Sequence, residues 1–389
     1  MLHTFKVRIY PNMAQQELFN ANFDAVRYVW NWALRKRMNY YKGTGRFLSN
    51  YDLSTELKLL KTYESMAWLK PANSQALQMV LRNLDKAYEA FFDPSNPAKF
   101  PKFKKKHKCK KSFSLPQYNT VDLDAGLLSI SKAKHIKAVF SRTSAMQKAL
   151  ATGKIKTVTI SMTSTGKYFA SILIEDNCTK NTIIPTTVEQ DKTLGVDLGI
   201  SSLLTLSDGT KIDSPRHTKR HQDVLVKEQR ILARKQKGSN NHKRQKLRVA
   251  TVHEKIKNTR LDNLHKVSTE LVSKNHATCF VLETLRVKNM VKNPKLAKHI
   301  ADCGWGIFTT LMDYKAPRYG KTIVKVNQWY ASSKLCHCCG YKNEKLTLED
   351  RVWDCPECKT HHDRDCNAAI NIKAQGLKDY ADGAGAALV

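Results

Sequence analysis

Four cysteines near the C-terminal end of the chain have the residue type and spacing of a metal site. They form two Cys-x-x-Cys pairs on either side of residues 340–354: Cys336, Cys339, Cys355 and Cys358. Two short turns of this kind can deliver four thiolates to one tetrahedral zinc ion, with Zn–S distances of about 2.3 Å. Gly340 agrees with this interpretation, because the residue after a metal-binding turn often needs a positive φ. The spacing therefore predicts a structural zinc ion bound by these four cysteines.

The same stretch leaves other interpretations open. The cysteines could form two disulfides or remain free buried thiols, and three neighbours are further potential ligands: Cys338, His361 and His362. The remaining cysteines are scattered along the chain, and we expect most of them to be packing or surface residues. Because disulfide proteins concentrate their cysteines in small domains, we expect a reducing compartment, the cytoplasm of a bacterium or archaeon, in association with the nucleoid.

An acidic group follows the second cysteine pair directly. The run DRDCNAAINI, residues 363–372, places Asp363 and Asp365 at the start of an amphipathic helix. Together with SSKLCHCCG and CPECKTHH before it, this run closely resembles the C-terminal signature of TnpB, a family of transposon-encoded RNA-guided nucleases related to the type V CRISPR effectors. The resemblance implies that Asp365 is the third catalytic carboxylate of a RuvC-like fold. Asp363 is the competing candidate for that role.

Two further acids complete the carboxylate set. Asp197 lies in the middle of the strand pattern TLGVDLGISSLLTL, where a buried carboxylate is costly unless a metal ion or hydrogen bonds satisfy it. Glu283 ends the apolar run 277–282 as if a strand presented it at its edge. The stretches GVDLGI and VLETLRVKNM resemble the first and second RuvC motifs of TnpB. Since Mg²⁺ prefers carboxylate oxygens, and two ions about 3.5–4 Å apart promote phosphodiester hydrolysis, Asp197, Glu283 and Asp365 are the predicted catalytic Mg²⁺ ligands.

The elements that must position these groups form the second half of the predicted fold. The resemblance implies a ribonuclease-H-like RuvC nuclease domain over residues 181–335 and 359–378, with a zinc-ribbon, target nucleic-acid-binding insertion at 336–358. Residues 177–192 are polar and lack periodicity, so they are the expected linker. The Gly/Ala-rich residues 379–389 are expected to be a disordered tail.

The N-terminal half completes an α+β multidomain fold. Short strands with alternating polarity predict a small β-barrel made of residues 1–10 and 112–180, which resembles the wedge domain of the family. Residues 11–111 carry amphipathic helical patterns and resemble an inserted helical recognition domain. Asn12 and Gln15 have the spacing of a capping box at the start of its first helix.

Composition points to a polyanionic partner. The 389 residues include 66 Lys and Arg against 34 Asp and Glu, a net charge of +32 with a pI near 9.8. Such an excess favours binding to nucleic acid. The chain has no apolar run long enough to span a bilayer and its start lacks the apolar core of a signal peptide, so we expect no membrane partner.

Two basic segments are candidates for phosphate contact. Residues 99–111 hold eight lysines interleaved with two phenylalanines, and residues 216–266 carry 16 cations against four acids in the pattern of two helices joined at 238–241. A solvated linker and a solvated helical hairpin are the alternative interpretations. The predicted contacts are Lys102, Lys104, Lys105, Lys106, Arg230, Arg234, Lys235 and Arg244.

One polar face is a candidate for reading bases. The stretch NSQALQ resembles a DNA-facing helix start of the family, and Ser74 and Gln78 lie one helical turn apart there. The amide of Gln78 can pair with adenine through two hydrogen bonds. Both residues could equally be solvated polar positions of an amphipathic helix.

The resemblance implies an RNA-guided, Mg²⁺-dependent endonuclease of an insertion-sequence transposon, cutting double-stranded DNA beside a short adjacent motif with one RuvC site. Its expected cofactors are structural zinc, catalytic Mg²⁺ and a guide RNA derived from the transposon end, in a ribonucleoprotein with one copy of the chain. Two alternatives remain open: an RNA-guided DNA-binding protein or regulator that does not cleave, and a guide-free RuvC-like nuclease or resolvase. The chain has no His-x-His pair of the kind that tyrosine transposases use.

Overall fold

The computed structural model describes four stretches of the chain: residues 2–140, 144–176, 188–347 and 349–383. The chain divides into two compact units, residues 1–180 and 181–389. Most of the expected linker at 177–192 lies outside the described residues. Within the described stretches, no helix is both long enough and apolar enough to cross a membrane.

The first unit starts with strand β1 (Leu2–Tyr10), which leads into helix α1 (Met13–Thr44). The predicted capping box starts this helix: the Asn12 side chain accepts a hydrogen bond from the Gln15 N–H at 2.9 Å, and the Gln15 side chain accepts one from the Asn12 N–H at 3.0 Å. Gly45 ends the helix with φ 69°, a left-handed conformation that glycine adopts at little cost.

Three more α-helices, one short 3₁₀ helix and six more strands complete the described part of the first unit. In chain order they are α2 (Asn50–Leu60), a short 3₁₀ helix (Glu64–Leu69), α3 (Ser74–Phe92), β2 (Lys111–Leu115), β3 (Thr120–Asp122), β4 (Leu127–Ile130), β5 (Ala133–Val139), α4 (Ser144–Thr152), β6 (Gly153–Met162) and β7 (Tyr168–Asp176). The alternating patterns of β6 and β7 predict these strands, whereas helix α4 is not expected from the sequence.

The seven strands form one antiparallel sheet in the order β2-β6-β7-β1-β5-β4-β3. Because β2 and β3 are edge strands among the described residues, the sheet is an open half-barrel rather than the closed barrel that we expected. Helix α1 packs against this sheet: the rings of Phe19 and Phe23 lie 5.8 and 5.5 Å from that of Phe113. Sheet and helices share one hydrophobic core, so the helical segment has no separate core of its own.

The second unit alternates strands and helices before it ends in a small ribbon and a long helix. Its elements are β8 (Thr193–Leu198), β9 (Ser202–Leu206), β10 (Lys211–Asp213), α5 (His217–Arg220), α6 (Gln222–Ala233), α7 (Asn240–Lys274), β11 (Cys279–Glu283), α8 (Val287–Met290), α9 (Ala297–Cys303), α10 (Trp305–Arg318), β12 (Thr322–Val326), β13 (Val352–Asp354), β14 (His361–Asp363) and α11 (Arg364–Ala381).

Five of these strands form a mixed sheet in the order β10-β9-β8-β11-β12. Strands β8, β9 and β10 are antiparallel neighbours, whereas β11 runs parallel to both β8 and β12. This arrangement is compatible with the ribonuclease-H-like sheet that we expected. Since parallel strands end at the same edge, the carboxyl ends of β8, β11 and β12 lie side by side.

Helix α11 lies unusually close to this sheet. A Cβ atom added to Gly195 of β8 would lie 2.0 Å from the Ala369 carbonyl oxygen, and one added to Gly376 would lie 2.2 Å from Val281 Cγ1. Two glycines therefore remove the side chains that would otherwise separate helix and sheet. The helix continues to Ala381, so the expected disorder from residue 379 is wrong at its beginning, while residues 384–389 lie outside the described stretches.

Candidate active site and metal centre

Two acidic side chains meet at the carboxyl edge of the mixed sheet. Asp197 on β8 is 9% exposed. Glu283 ends the adjacent strand β11, and its Oε1 accepts a hydrogen bond from the Leu198 N–H at 2.9 Å. The neighbouring strands therefore bring Glu283 into contact with Leu198, the residue after Asp197. Leu198 and Glu283 are 85 positions apart in the sequence.

Electrostatics connect Asp197 to Glu283 and to helix α11. Burial raises the pKa of Asp197 well above its ordinary value, and the negative charges of Glu283 and Asp365 raise it further. Burial also raises the pKa of Glu283 to about 7, although the Leu198 N–H favours its ionised form. The structure thus brings the three predicted acids into one repelling cluster, and a divalent cation would relieve that repulsion.

Asp363 and Asp365 have different surroundings. Asp363 caps helix α11 by accepting the Cys366 N–H at 3.0 Å, and its other oxygen receives Lys211 Nζ at 2.7 Å. Burial opposes ionisation of Asp363, but the ammonium and the amide outweigh it and hold its pKa below the usual range. Asp365 lies in the first helical turn, 3.9 Å from Arg351 Nη1, and its charge raises the pKa of Asp197 more than the charge of Asp363 does. The capping contacts give Asp363 a structural role and favour Asp365 as the third acid.

The carboxylate cluster is less compact than the group of four thiols. Among the described residues, the four cysteines are the one group in which three or more potential ligand atoms all lie within 4.8 Å of one another. Mg²⁺ prefers hard oxygen donors of this kind, and two such ions about 3.5–4 Å apart promote phosphodiester hydrolysis. Asp197, Glu283 and Asp365 therefore fit Mg²⁺ in donor type.

Two residues of the following helices fix the turn after Asp197. The Gly199 carbonyl accepts a hydrogen bond from Trp305 Nε1 at 3.3 Å and lies 3.7 Å from Cys303 Sγ. A Cβ atom on Gly199 would approach the Ser202 carbonyl oxygen to 2.6 Å, so the turn leaves no room for a side chain. The sequence analysis missed these positioning contacts, because nothing local relates residues more than 100 positions apart.

The four predicted cysteines form one compact group. Two of the Sγ–Sγ distances, Cys336 to Cys358 and Cys339 to Cys355, are 3.6 Å. A tetrahedron with Zn–S bonds of about 2.3 Å has edges of about 3.8 Å, so the thiols match a zinc ion closely. Gly340 has φ 78°, as its position after the first pair predicts.

The three alternative ligands lie outside this group. Cys338 Sγ does not belong to the group of ligand atoms within 4.8 Å of one another, and His361 Nδ1 contacts Asp354 Oδ1 at 2.7 Å. His362 is 2% exposed, with its Nε2 3.1 Å from Cys336 Sγ and its ring 4.6 Å from that of Trp353. His362 therefore packs against a ligand of the metal centre and is not a fifth member of the group.

Two asparagines connect the metal centre to helix α11. Asn367 Oδ1 accepts the His337 N–H at 3.0 Å and its Nδ2 donates to the Leu335 carbonyl at 2.7 Å. Asn371 Nδ2, one turn further on, donates to the carbonyls of Leu335 and Ser332 at 2.7 and 2.9 Å. The helix that carries Asp365 thus holds the backbone of the first cysteine turn. The four-residue spacing of the asparagines was the available sequence signal for this contact.

The predicted phosphate contacts of the second unit lie on the basic hairpin formed by α6 and α7, and they are exposed to solvent. Gln245 Nε2 donates to the Glu228 carbonyl at 2.9 Å and joins α6 to α7. No side chain of α6 is buried. The four predicted phosphate contacts are exposed: Arg230, Arg234, Lys235 and Arg244.

The predicted nucleic-acid contacts of the first unit differ in their exposure to solvent. Ser74 and Gln78 are both exposed at the start of α3, and Lys102, Lys105 and Lys106 are exposed as well. Lys104 differs, because its Nζ lies 3.7 Å from the ring centre of Trp30 and burial lowers its pKa. Asn31 binds the Lys104 backbone through its Oδ1 at 2.7 Å and its Nδ2 at 3.0 Å. The segment is therefore anchored to α1 and is not a free linker, and Lys104 packs on an indole.

Comparison with known families gives three matches along the chain. Residues 172–294 match the OrfB family of IS605, described as "Probable transposase". Residues 305–372 match the "Cas12f1-like, TNB domain". Residues 1–46 match a "Helix-turn-helix domain", but the described part of this stretch folds into strand β1 and the single helix α1.

Relatives cover almost the whole chain. A Streptomyces pristinaespiralis protein named "Putative RNA-guided DNA endonuclease" is 38% identical over 98% of this chain and 91% of its own length. The Escherichia coli K12 protein "Putative RNA-guided DNA endonuclease InsQ" is 32% identical over 96% of this chain and 92% of its own length. Among solved structures, a Cas12f1–sgRNA–target DNA complex aligns with a TM-score of 0.52 at 14% identity, over 93% of this chain and 83% of that one, which is a similarity of fold.

Proposed function

Because the chain belongs to the IS605 OrfB family of TnpB-like proteins, we propose that it is an RNA-guided endonuclease that cuts double-stranded DNA with Mg²⁺. The observation that carries the proposal is the contact of Glu283 with the Leu198 N–H, beside Asp197 and the start of α11. This contact joins the acids of two parallel strands at the edge where such sheets present their functional groups.

Asp197, Glu283 and Asp365 would hold the Mg²⁺ ions. When bound, Mg²⁺ supplies an activated water and relieves negative charge on the leaving oxygen of a phosphodiester. The acids themselves are preorganised: Leu198 orients Glu283, the Gly199 turn follows Asp197, and the Asp363 cap starts the helix of Asp365. One such site would cut the DNA strands in turn.

The guide RNA, in this proposal, derives from the transposon end and pairs with the target, so base pairing supplies the specificity. The net charge of +32 and the exposed α6–α7 hairpin favour contact with the backbone of a nucleic acid. Exposed Ser74 and Gln78 are the proposed readers of a short motif adjacent to the target. We place one copy of the chain in the ribonucleoprotein, in the cytoplasm at the nucleoid.

Two other functions differ from this one in whether they require the three acids and whether they require a guide RNA. A guided DNA-binding protein without cleavage would not need the three carboxylates, yet all three are present and crowded. A guide-free nuclease or resolvase would need the carboxylates but no RNA. The carboxylate cluster favours a nuclease over the first of these alternatives.

The experiment is to express the chain together with its transposon-end sequence, sequence the RNA that co-purifies, and assay cleavage of matching duplexes with Mg²⁺. We expect one defined RNA species and cuts that follow its sequence. Cleavage by RNA-free protein would support the guide-free nuclease, and RNA-dependent binding without cuts would support the regulator.

A further inference from the structure

Trp329 is the most exposed tryptophan of the described residues, with 76% of its surface accessible. An exposed indole buries little apolar area, so packing does not account for it. It lies in the loop that leads from β12 to the first cysteine turn. Its backbone N–H donates to Asn327 Oδ1 at 3.0 Å, and the next residue, Tyr330, donates its hydroxyl to the Asn371 carbonyl at 3.3 Å. These hydrogen bonds fix the backbone that carries the exposed indole.

The position of this indole relative to the proposed active site follows from strand register. Strands β11 and β12 run parallel, and their last paired residues are Glu283 and Val326. Arg286 comes three residues after the first of these and Trp329 three residues after the second. The guanidinium carbon of Arg286 lies 5.2 Å from the Trp329 ring centre, within cation–π range, and Arg286 also hydrogen-bonds to Gln328. The pair therefore stands directly beyond the edge that presents Glu283.

The chain around this pair has one sign of charge. Residues 284–301 contain five lysines and arginines and no acid: Arg286, Lys288, Lys292, Lys295 and Lys298. Cations beside an exposed aromatic ring are the combination with which proteins bind unpaired nucleic-acid strands, because phosphates meet the charges and bases stack on the ring. A base inside a duplex has both faces covered by its neighbours and cannot stack in this way.

We propose that Trp329, supported by Arg286, stacks on an unpaired base of the DNA strand that enters the carboxylate edge. This inference rests on the proposed nuclease function. The stacked base would hold an unpaired strand beside Glu283 without regard to its sequence, since every base offers a face to the ring. It also predicts that unpaired DNA is the form in which each strand reaches the acids.

Crosslinking tests the contact locally. The cleavage-deficient Asp197→Ala chain, loaded with its guide, is bound to a target duplex carrying 5-iodouracil in one strand or in the other, irradiated, and digested with trypsin. We expect a crosslink on the peptide of residues 326–334, located to Trp329. Crosslinks confined to other peptides for both labelled strands would overturn the proposal.

Binding tests the contribution of the ring. With a fluorescent oligothymidine and the same cleavage-deficient chain, we expect Trp329→Ala to weaken binding about 10-fold and Trp329→Phe to restore most of it. Tyr319→Ala is the matched control, because this ring is 50% exposed at the opposite end of β12. Equal affinities of Trp329→Ala and its parent, or an equal loss in Tyr319→Ala, would contradict the proposal. Both experiments use a chain that does not cut, so failure of the nuclease function itself would appear separately, as guided wild-type protein that leaves its target intact.

Discussion

Gly195 of β8 lies directly against Ala369 of α11, so close that a Cβ atom on the glycine would be 2.0 Å from the alanine carbonyl oxygen. The same atom would lie 2.7 Å from the Lys373 backbone nitrogen. This contact sets the distance between the strand that carries Asp197 and the helix that carries Asp365. The geometry of the proposed site therefore depends on a residue that has no functional group.

We predict that Gly195→Ala disrupts both stability and cleavage. The added methyl group meets backbone atoms that cannot rotate away, so we expect a destabilisation of about 2–4 kcal/mol, measured by denaturant unfolding. Gly306→Ala is the control, since nothing lies within 4 Å of a Cβ atom there. That variant should keep the activity of the wild type and be at least as stable, because alanine favours a helix more than glycine does. A Gly195→Ala chain as stable and active as the control would mean that α11 does not depend on this close approach.

The pKa of Glu283 leads to a second prediction, on metal-free protein. Burial raises it from 4.5 to about 7 in the folded chain, so between these values the unfolded chain loses its proton first and folding becomes less favourable as pH rises. At pH 8 without Mg²⁺, we expect Glu283→Gln to melt a few degrees above the wild type, and at pH 4 the difference should vanish. Added Mg²⁺ should raise the melting temperature of the wild type more than that of the variant. A difference of the same size at both pH values would exclude this origin.

The third prediction concerns the link between zinc and the acids. Asn367→Ala removes the hydrogen bonds of a buried side chain to the His337 N–H and the Leu335 carbonyl but keeps all four thiols. We expect metal analysis to find one zinc per chain in this variant, together with cleavage reduced by about 10-fold or more. Cys355→Ser should lose the ion, whereas the exposed, non-ligand Cys338→Ser should behave as wild type. Cleavage at the wild-type rate by Asn367→Ala would show that the position of α11 in the active site does not depend on the contact of Asn367 with the first cysteine turn.

Neighbouring lysines allow a fourth prediction, which separates stability from binding. Lys104 packs on Trp30, so Lys104→Ala should lower the stability of the first unit by about 1 kcal/mol and leave the salt dependence of binding unchanged. Lys105 is exposed, so Lys105→Ala should keep stability and lower the slope of log affinity against log salt by about 1. If Lys104→Ala instead lowered the salt slope and Lys105→Ala lowered the stability, Lys104 would be a phosphate contact and Lys105 a packing residue.

Local patterns predicted much of this molecule. The Cys-x-x-Cys spacing is enough to identify the thiol group, and the capping box at Asn12 and the strand containing Asp197 are set by neighbours in sequence. The features that were not predicted from the sequence depend on contacts between residues far apart along the chain. Lys104 turns inward because Trp30 and Asn31 bind it from α1, and the first sheet stays open because β2 and β3 do not pair among the described residues. The contacts of Asn367 and Trp305 likewise join distant elements, and no local periodicity encodes them.

The most direct test of the central claim compares Asp365→Ala with Asp363→Ala in the guide-loaded chain, assayed with Mg²⁺ for cleavage of a matched duplex and, in parallel, for RNA-dependent binding. Asp365→Ala should reduce cleavage by at least about 100-fold and leave binding nearly intact, because it removes metal oxygens and no phosphate contact. Asp363→Ala should lose about 1 kcal/mol of stability as a helix cap yet cut within about 10-fold of the wild type. Cutting by the Asp365 variant within about 10-fold of the wild type, with cleavage abolished in a folded Asp363 variant, would contradict the account and transfer the third catalytic position to Asp363.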